Sequence, residues 1–286
     1  MIPAVRGRLK DALRGWRNLD LQGVLEWTSR AGYGARGFVY LSIGALAAMA
    51  AIELARSPAS ASGAVAAFAQ GSLGQLWIAA LAVGLFGFSL WRILQAVFDA
   101  DRQGRELAAL ASRLGQAVSA LAYSALAWSL LELLDELEDI GEADENQSAR
   151  QMAAEVMALP FGHWLLIGVA VFVAGVGVAG IVQLFRPDFG QHLGCSRQTH
   201  RWACMVGRVG YAARGLAFLP LAYTLGRAGW DMSAAEARNL GGALQALEAQ
   251  PFGSPILFLT GLGLAAFGLY ALVEARWRRI DPPDPT

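Results

Sequence analysis

Two arginines stand inside stretches of the chain that are otherwise apolar. Arg36 follows Arg30 by six residues, and Arg214 follows Arg208 by the same spacing, which places each second arginine about 9 Å deeper along a helix. A charged side chain within a membrane helix is costly and usually faces neighbouring helices, a partner charge or water. Both arginines are therefore candidate members of a buried polar network. The alternative is that both reach back to the lipid headgroups and only orient their helices.

Three further polar residues recur at one spacing. Gln95, Gln183 and Glu274 each stand 21 residues after a glycine that opens an apolar stretch. A helix of that length measures about 31 Å, roughly one hydrocarbon thickness. With the two arginines they form the predicted cytoplasmic-side polar network, in which a pair such as Arg214 with Glu274 would close a central pathway.

Acidic residues recur at the opposite helix ends. Glu53, Glu136 and Asp231 each stand 21 residues after the glycine of an Arg-x-Gly segment. An acidic ring at an outer mouth gathers cations. The alternative is that these acids only mark helix ends on the side with few basic residues. Judged by charge sign, the two clusters favour a small cation or a proton-coupled solute over an anion.

One loop carries side chains that can bind a metal. His192, Cys195, His200 and Cys204 offer the ligands of a tetrahedral zinc site. Their spacing matches no common zinc motif, so they are a weak candidate, and we predict no metal and no cofactor. The chain also lacks a P-loop, a Gly-x-Ser-x-Gly and a His-Glu-x-x-His segment. We therefore predict that the protein is not an enzyme.

The elements that carry these residues are predicted to cross a membrane. Of the 286 residues, 55% are hydrophobic and 16% are charged, whereas soluble domains carry about a quarter charged residues. No charged residue lies between Arg56 and Arg92, from Val156 to Phe185, or from Ala249 to Val273. Each run is longer than the roughly 20 residues of a membrane helix. The formal net charge of zero gives no general attraction to nucleic acid.

The chain repeats itself three times. The segment at 29–38, with Tyr33 and Arg36, returns at 207–216, and a decayed copy lies at 112–117. A second segment opens with Pro-Phe-Gly at 160–162 and 251–253. These repeats predict an all-α polytopic protein of three two-helix repeats around a pseudo-threefold axis. The six predicted membrane helices are 34–55, 75–98, 114–135, 161–185, 209–229 and 254–275, the fifth kinked at Pro220.

These repeats also divide the chain into domains. The predicted divisions are a cytoplasmic or interfacial segment 1–28, repeats at 29–103, 104–190 and 191–280, and a tail at 281–286.

Basic residues set the predicted orientation. Of the 23 lysines and arginines, 19 fall in the termini and in alternate loops. By the positive-inside rule both termini face the cytoplasm of a bacterial inner membrane. Three amphipathic stretches on the other side are predicted to form short helices on the outer surface, Ala64–Gln70, Ala149–Leu159 and Ala234–Glu248.

The paired segments resemble a family. Arg-x-Gly-Tyr-x-Ala-Arg-Gly at Arg30–Gly37 and Arg208–Gly215, with Gln-Pro-Phe-Gly at Gln250–Gly253, is similar to the bacterial family "domain of unknown function 1206". The middle copy departs from the pattern at Gln116 and Ser119. The resemblance covers residues from about 25 to 280. It implies a three-repeat inner-membrane protein and carries over no activity and no site residue.

Two functions remain open from the sequence. One is a channel or transporter for a small cation or small solute along the repeat axis. The other is a non-transporting structural, lipid-interacting or accessory membrane protein. The expected partners are membrane lipids, a small ion or solute, and a second copy or another protein, but not nucleic acid.

Overall fold

The computed structural model describes residues 21–53, 64–65, 74–98, 106–135, 145–187 and 189–279. Within these ranges the protein is helical and has no strand beyond an isolated bridge between Leu193 and Arg278. Short 3-10 turns lie at Gln183–Phe185 and Ala234–Glu236. The described α-helices are α1 (Leu21–Ala51), α2 (Gly74–Phe98), α3 (Leu107–Asp135), α4 (Glu145–Met157), α5 (Gly162–Val182), α6 (Arg197–Trp230), α7 (Leu240–Glu248) and α8 (Gly253–Trp277).

Five helices are long and apolar enough to cross a membrane. They are α1, α2, α3, α5 and α8, with spans at Glu26–Ala51, Gly74–Val97, Ser112–Glu132, Gly162–Phe185 and Gly253–Trp277. Helix α6 has the length, with 34 residues, but arginines such as Arg208, Arg214 and Arg227 interrupt its apolar run. The all-helical, membrane-type architecture is thus confirmed. A sixth crossing by α6 and the pseudo-threefold arrangement stay predictions.

Three helices begin earlier than predicted. Helices α1, α3 and α6 start at Leu21, Leu107 and Arg197 rather than near 34, 114 and 209. Hydropathy marks only the apolar part of a helix, and the preceding polar residues continue the same backbone. At the start of α6 the Ser196 hydroxyl accepts a hydrogen bond from the Thr199 amide, a standard N-cap. Pro220 lies inside α6 without ending it.

The long helices pack as an open arc. Along it α3 packs on α2, α2 on α1, α1 on α8, α8 on α6 and α6 on α5. The two end helices, α3 and α5, do not pack along each other. Among the five apolar helices they also bury the least: 28% and 22% of the residues in their most apolar stretches are buried, against 56% for α1 and for α8. Helices α1 and α8 therefore form the centre of the molecule.

Close packing in the arc depends on small residues. A Cβ atom at Gly37 would lie 2.9 Å from the Gly268 carbonyl, and one at Gly215 would collide with the Gly177 carbonyl. Such contacts bring helix backbones close together in membrane proteins. Each joins the first helix of one repeat to the second helix of the preceding repeat, with the third repeat preceding the first.

The third contact of this kind uses a hydroxyl. Ser89 on α2 donates a 2.7 Å hydrogen bond to the Ala120 carbonyl on α3 and lies 2.6 Å from the Ser124 hydroxyl. Ser89 occupies the position in the first repeat that Gly177 occupies in the second repeat and Gly268 in the third. All three junctions therefore meet at corresponding residues.

The first arginine of each Arg-x-Gly segment caps a neighbouring helix. Arg30 donates to the Ala275 carbonyl at 2.9 Å, Arg113 to the Ala96 carbonyl at 2.7 Å, and Arg208 donates at 2.9 Å to the carbonyl of another arginine, Arg186. Terminal carbonyls of a helix lack partners within it, so these guanidinium groups satisfy them. The three arginines lie where α2, α5 and α8 finish, at one end of the helix axes. This end of the molecule is here named the basic end.

The opposite end is filled by apolar side chains. Leu130, Leu244 and Leu257 have no solvent exposure and belong to the main core. Helix α7, predicted to lie on the outer surface, is instead buried along Gly241–Leu244 and packs on α6 and α8. Of the predicted helix Ala64–Gln70, only residues 64 and 65 lie within the described residues, and both are buried.

Candidate functional site

A buried ion pair lies between the central helices. The Arg36 Nη2 of α1 donates a 2.5 Å hydrogen bond to the Glu274 Oε2 of α8, and the side chains are 1% and 3% exposed. The other oxygen of Glu274 accepts a 2.7 Å hydrogen bond from Arg278, one turn further along α8. One carboxylate therefore serves two guanidinium groups.

Aromatic rings enclose the Arg36 guanidinium. Its central carbon lies 4.9 Å from the Tyr33 ring centre, 5.0 Å from that of Phe88 and 5.2 Å from that of Phe267. Ring faces attract a cation within about 6 Å, and more strongly where water is excluded. The rings come from α1, α2 and α8, so packing of three helices builds the site.

Gln95 is connected to the same region by a hydrogen bond from Arg92. The side-chain oxygen of Gln95, which is 1% exposed, accepts a 3.2 Å hydrogen bond from Arg92. The Arg92 guanidinium lies 5.0 Å from the Phe88 ring centre, as does that of Arg36. Both guanidinium groups thus contact the Phe88 ring.

Arg214 occupies a different environment. Its guanidinium lies 4.6 Å from the Phe267 ring centre, 5.2 Å from that of Phe218 and 5.5 Å from that of Tyr211. The side chain is half-buried, and its buried Nε has no hydrogen-bond partner. Among the described residues no carboxylate pairs with it. The predicted Arg214–Glu274 pair is not formed, because the Glu274 carboxylate is bound by Arg36 and Arg278 instead.

Gln183 stands apart from the Arg36–Glu274 cluster. It is partly exposed and begins the 3-10 turn that follows α5. Of the five residues predicted to form one network, the structure brings Arg36, Gln95 and Glu274 to one buried region. Arg214 adjoins that region through Phe267.

The predicted acidic ring is not seen as a unit in the described part of the chain. Glu53 is exposed and has a left-handed backbone with φ of 61°. Asp231 forms a 2.7 Å ion pair with Arg227, one turn earlier on α6. Glu136 lies outside the described residues. Asp231 therefore pairs with a neighbour on its own helix rather than contributing to a shared acidic ring.

The candidate metal ligands do not assemble. His200 and Cys204 lie 3.6 Å apart, and the Cys204 thiol donates a 3.4 Å hydrogen bond to the Phe189 carbonyl. In the part of the chain that the structure describes, no group of three or more metal-ligating side chains converges, so His192 and Cys195 do not complete a site. Burial raises the pKa of the Cys204 thiol, which keeps the thiol protonated rather than ready to bind a metal.

Sequence reasoning missed the aromatic enclosure and the second cation on Glu274. Phe88 and Phe267 each stand 14 residues after the glycine that opens their helix, and this shared spacing was the available signal. Tyr33 and Tyr211 are likewise equivalent, and the Tyr33–Phe88 pair corresponds to the Tyr211–Phe267 pair. Arg278 carried no such signal, because it lies beyond the apolar run.

Long apolar helices with a buried ion pair between them define a polytopic membrane-type helical protein. The chain belongs to the family described as Domain of Unknown Function (DUF1206), whose model matches residues 31–99, 114–185 and 209–278. Each match lies inside one predicted repeat. The chain is also 32% identical over 259 residues to "Uncharacterized protein YxxB" of Bacillus subtilis (strain 168), covering 88% of this chain and 90% of that protein. No solved structure matches.

Proposed function

We propose that this protein is a membrane transport protein for a small solute, with its solute site at the basic end of the arc. The observation that carries the proposal is the Arg36–Glu274 pair, whose two side chains are 1% and 3% exposed. Charged groups inside membrane bundles are expensive, pair with one another, and mark solute or ion pathways. Glu274 can release one guanidinium to a solute and retain the other.

The charge of this region favours an anionic solute. Among the described residues, Arg36 and Arg278 share the Glu274 carboxylate. Arg92 and Arg214 lie over the Phe88 and Phe267 rings, which also contact Arg36. Cations entering such a region meet repulsion, whereas a carboxylate or phosphate meets donors. This reverses the preference for a cation drawn from the acidic helix ends.

In this conformation the pathway is closed at the end opposite the basic one. Leu130, Leu244 and Leu257 fill the core there without solvent exposure. Transport then requires movement of helices, and the end helices α3 and α5 are the least buried of the five apolar helices. Alternating exposure of a fixed site is how many transporters with internal repeats work.

The proposal includes a topology. All six long helices cross a bacterial inner membrane as three related pairs around a pseudo-threefold axis, with both termini cytoplasmic. The positive-inside rule supports this orientation. The protein has no catalytic role in this proposal.

A non-transporting structural or lipid-interacting protein is the second candidate. The observation in its favour is the close backbone packing at Gly37 with Gly268 and at Gly215 with Gly177. Such packing suits a rigid scaffold. Under this alternative the buried ion pair only fixes the register of α1 on α8.

Anion flux separates the two candidates. Proteoliposomes are diluted into isotonic potassium chloride, phosphate or succinate with valinomycin, and swelling is followed by light scattering. We expect faster swelling than in empty vesicles with at least one salt, and slower swelling with Arg214→Ala and Glu274→Gln. Arg227→Gln is the matched control, because its exposed pair with Asp231 lies far along α6. Swelling equal to that of empty vesicles in all salts would remove the transport proposal.

A further inference from the structure

The helix junctions give a common register for comparing the two arginines. At the junction of α1 and α8, Gly37 meets Gly268. Arg36 stands one residue before Gly37, and Glu274 stands six residues after Gly268. The two residues of the ion pair therefore have defined sequence positions relative to the glycine contact.

The same two positions at the junction of α6 and α5 are occupied by a different pair of residues. There Gly215 meets Gly177. One residue before Gly215 is Arg214, and six residues after Gly177 is Gln183. The arginine is kept, and a neutral amide replaces the carboxylate.

At the third junction both charges are absent. Ala120 meets Ser89 there through the hydrogen bond to the Ala120 carbonyl. The corresponding residues are Ser119 and Gln95. Among the described residues, the Arg36 position is neutralised by Glu274, the Ser119 position carries no charge, and the Arg214 position carries a cation with no paired carboxylate.

The surroundings of Arg214 fit a site for an anion. Three rings lie within 5.5 Å of its guanidinium, and among the described residues no carboxylate pairs with it. Its Nε is buried without a partner, as is that of Arg36. An arginine that is partly removed from water without an acceptor forfeits hydrogen bonds it would make in solvent. Arg214 remains half-buried, so a ligand can reach it, whereas Arg36 is 1% exposed.

We infer that Arg214 binds the carboxylate or phosphate group of an anionic ligand, which takes the place that the Glu274 carboxylate fills beside Arg36. The Gln183 amide, at the Glu274 position, supplies a second donor to the bound anion. Planar guanidinium groups bind both kinds of anion in a forked geometry. The ligand's role in transport rests on the proposed function, but the binding itself does not.

The test measures thermal unfolding of the purified full-length protein in a neutral detergent. Phosphate or succinate is compared with chloride at equal ionic strength, and nanodiscs of phosphatidylglycerol are compared with nanodiscs of phosphatidylcholine. We expect phosphate, succinate or phosphatidylglycerol to raise the midpoint by on the order of 2–4 °C at saturating ligand. A rise only in phosphatidylglycerol assigns the site to a lipid headgroup, and a rise with the free anions assigns it to a soluble ligand.

Two variants make the test specific. Arg214→Gln removes the cation, and Gln183→Glu installs the carboxylate found beside Arg36. Both should abolish the anion response, and Gln183→Glu should also raise the midpoint of the ligand-free protein because it supplies the missing partner. Arg227→Gln should keep the full response.

Loss of the idea is equally defined. A full response in Arg214→Gln or in Gln183→Glu overturns the inference. The absence of a response in both the detergent arm and the nanodisc arm also overturns it. Flux in proteoliposomes without an anion response also counts against this inference alone. An anion response without any flux counts only against the transport proposal.

Discussion

Arg36 on α1 and Glu274 on α8 form a buried ion pair across 238 residues of sequence, with 2.5 Å between nitrogen and oxygen. The pair joins the first and last membrane-type helices of the described residues. Because these helices form the centre of the arc, the contact holds the first repeat against the third. It also places a fixed charge where solvent does not reach.

Removing the carboxylate should destabilise the protein strongly. Glu274→Gln leaves the buried guanidinium of Arg36 without an anion, and breaking a buried pair in this way costs about 3–5 kcal/mol. Thermal unfolding in detergent measures the loss. The double variant Arg36→Met with Glu274→Gln should recover most of it, because the guanidinium of Arg36, which is 1% exposed, is then no longer left without an anion.

The control for this prediction is the exposed pair on α6. Asp231→Asn breaks the ion pair of Asp231 with Arg227, whose side chains are 38% and 46% exposed. Exposed pairs contribute at most about 1 kcal/mol. Equal losses for Asp231→Asn and Glu274→Gln would mean that the buried pair has no special weight.

Two glycines on α1 should respond in opposite ways to alanine. A Cβ at Gly44 would lie closer than 3.0 Å to the backbone of Gly261 and Ala265 on α8, whereas one at Gly34 meets no atom within 4 Å. Gly44→Ala should therefore lower the unfolding midpoint by forcing the central helices apart. Gly34→Ala should leave it unchanged or raise stability by up to about 1 kcal/mol, since alanine favours helix. A similar effect of both substitutions would contradict the packing of α1 on α8.

The apolar helices could be predicted closely from sequence. Helices α2 and α8 begin at Gly74 and Gly253, within one residue of the expectation, because glycine-opened uncharged runs define a membrane-length helix. The starts of α1 and α6 were missed because their first turns are polar and hydropathy does not register them. Helix α7 was placed on the surface because its amphipathic pattern does not reveal which partner covers it.

The members of the polar cluster could be predicted better than their pairing. Repeat spacing identified Arg36 and Glu274, but the expected partner of Glu274 was Arg214 from the same repeat. The first helix of each repeat packs more extensively on the second helix of the preceding repeat than on that of its own. Nothing in the local sequence shows whether Glu274 pairs with Arg36 of α1 or with Arg214 of α6, since both arginines are expected at a depth similar to that of Glu274.

The two cysteines should differ in their reaction with iodoacetamide. Cys195 is partly exposed, whereas Cys204 is 8% exposed and burial raises the pKa of its thiol. The thiolate is the reactive form, so a raised pKa makes it scarce at neutral pH and more abundant as the pH rises. Mass spectrometry at pH 7 should show Cys195 modified first, with Cys204 catching up under alkaline conditions. Faster modification of Cys204 at pH 7 would contradict its buried position.

A crossing by α6 can be tested with impermeant thiol reagents. Cys195 precedes α6, and Ser233 follows it. In intact bacterial cells, Ser233→Cys in a chain with Cys195→Ser and Cys204→Ser should be labelled. Cys195, in a chain with Cys204→Ser, should react only after the membrane is permeabilised. Labelling of both positions in intact cells would show that α6 does not cross the membrane.

The most direct measurement of the central claim is anomalous scattering from crystals of the full-length protein grown with selenate. Selenate is an oxyanion of the phosphate type, and selenium reveals its position. We predict a selenium peak within hydrogen-bonding reach of the Arg214 guanidinium on the side of Gln183, and no peak at Arg36, where Glu274 already fills the place. A peak confined to exposed arginines of the basic end, with none at Arg214, would contradict the account.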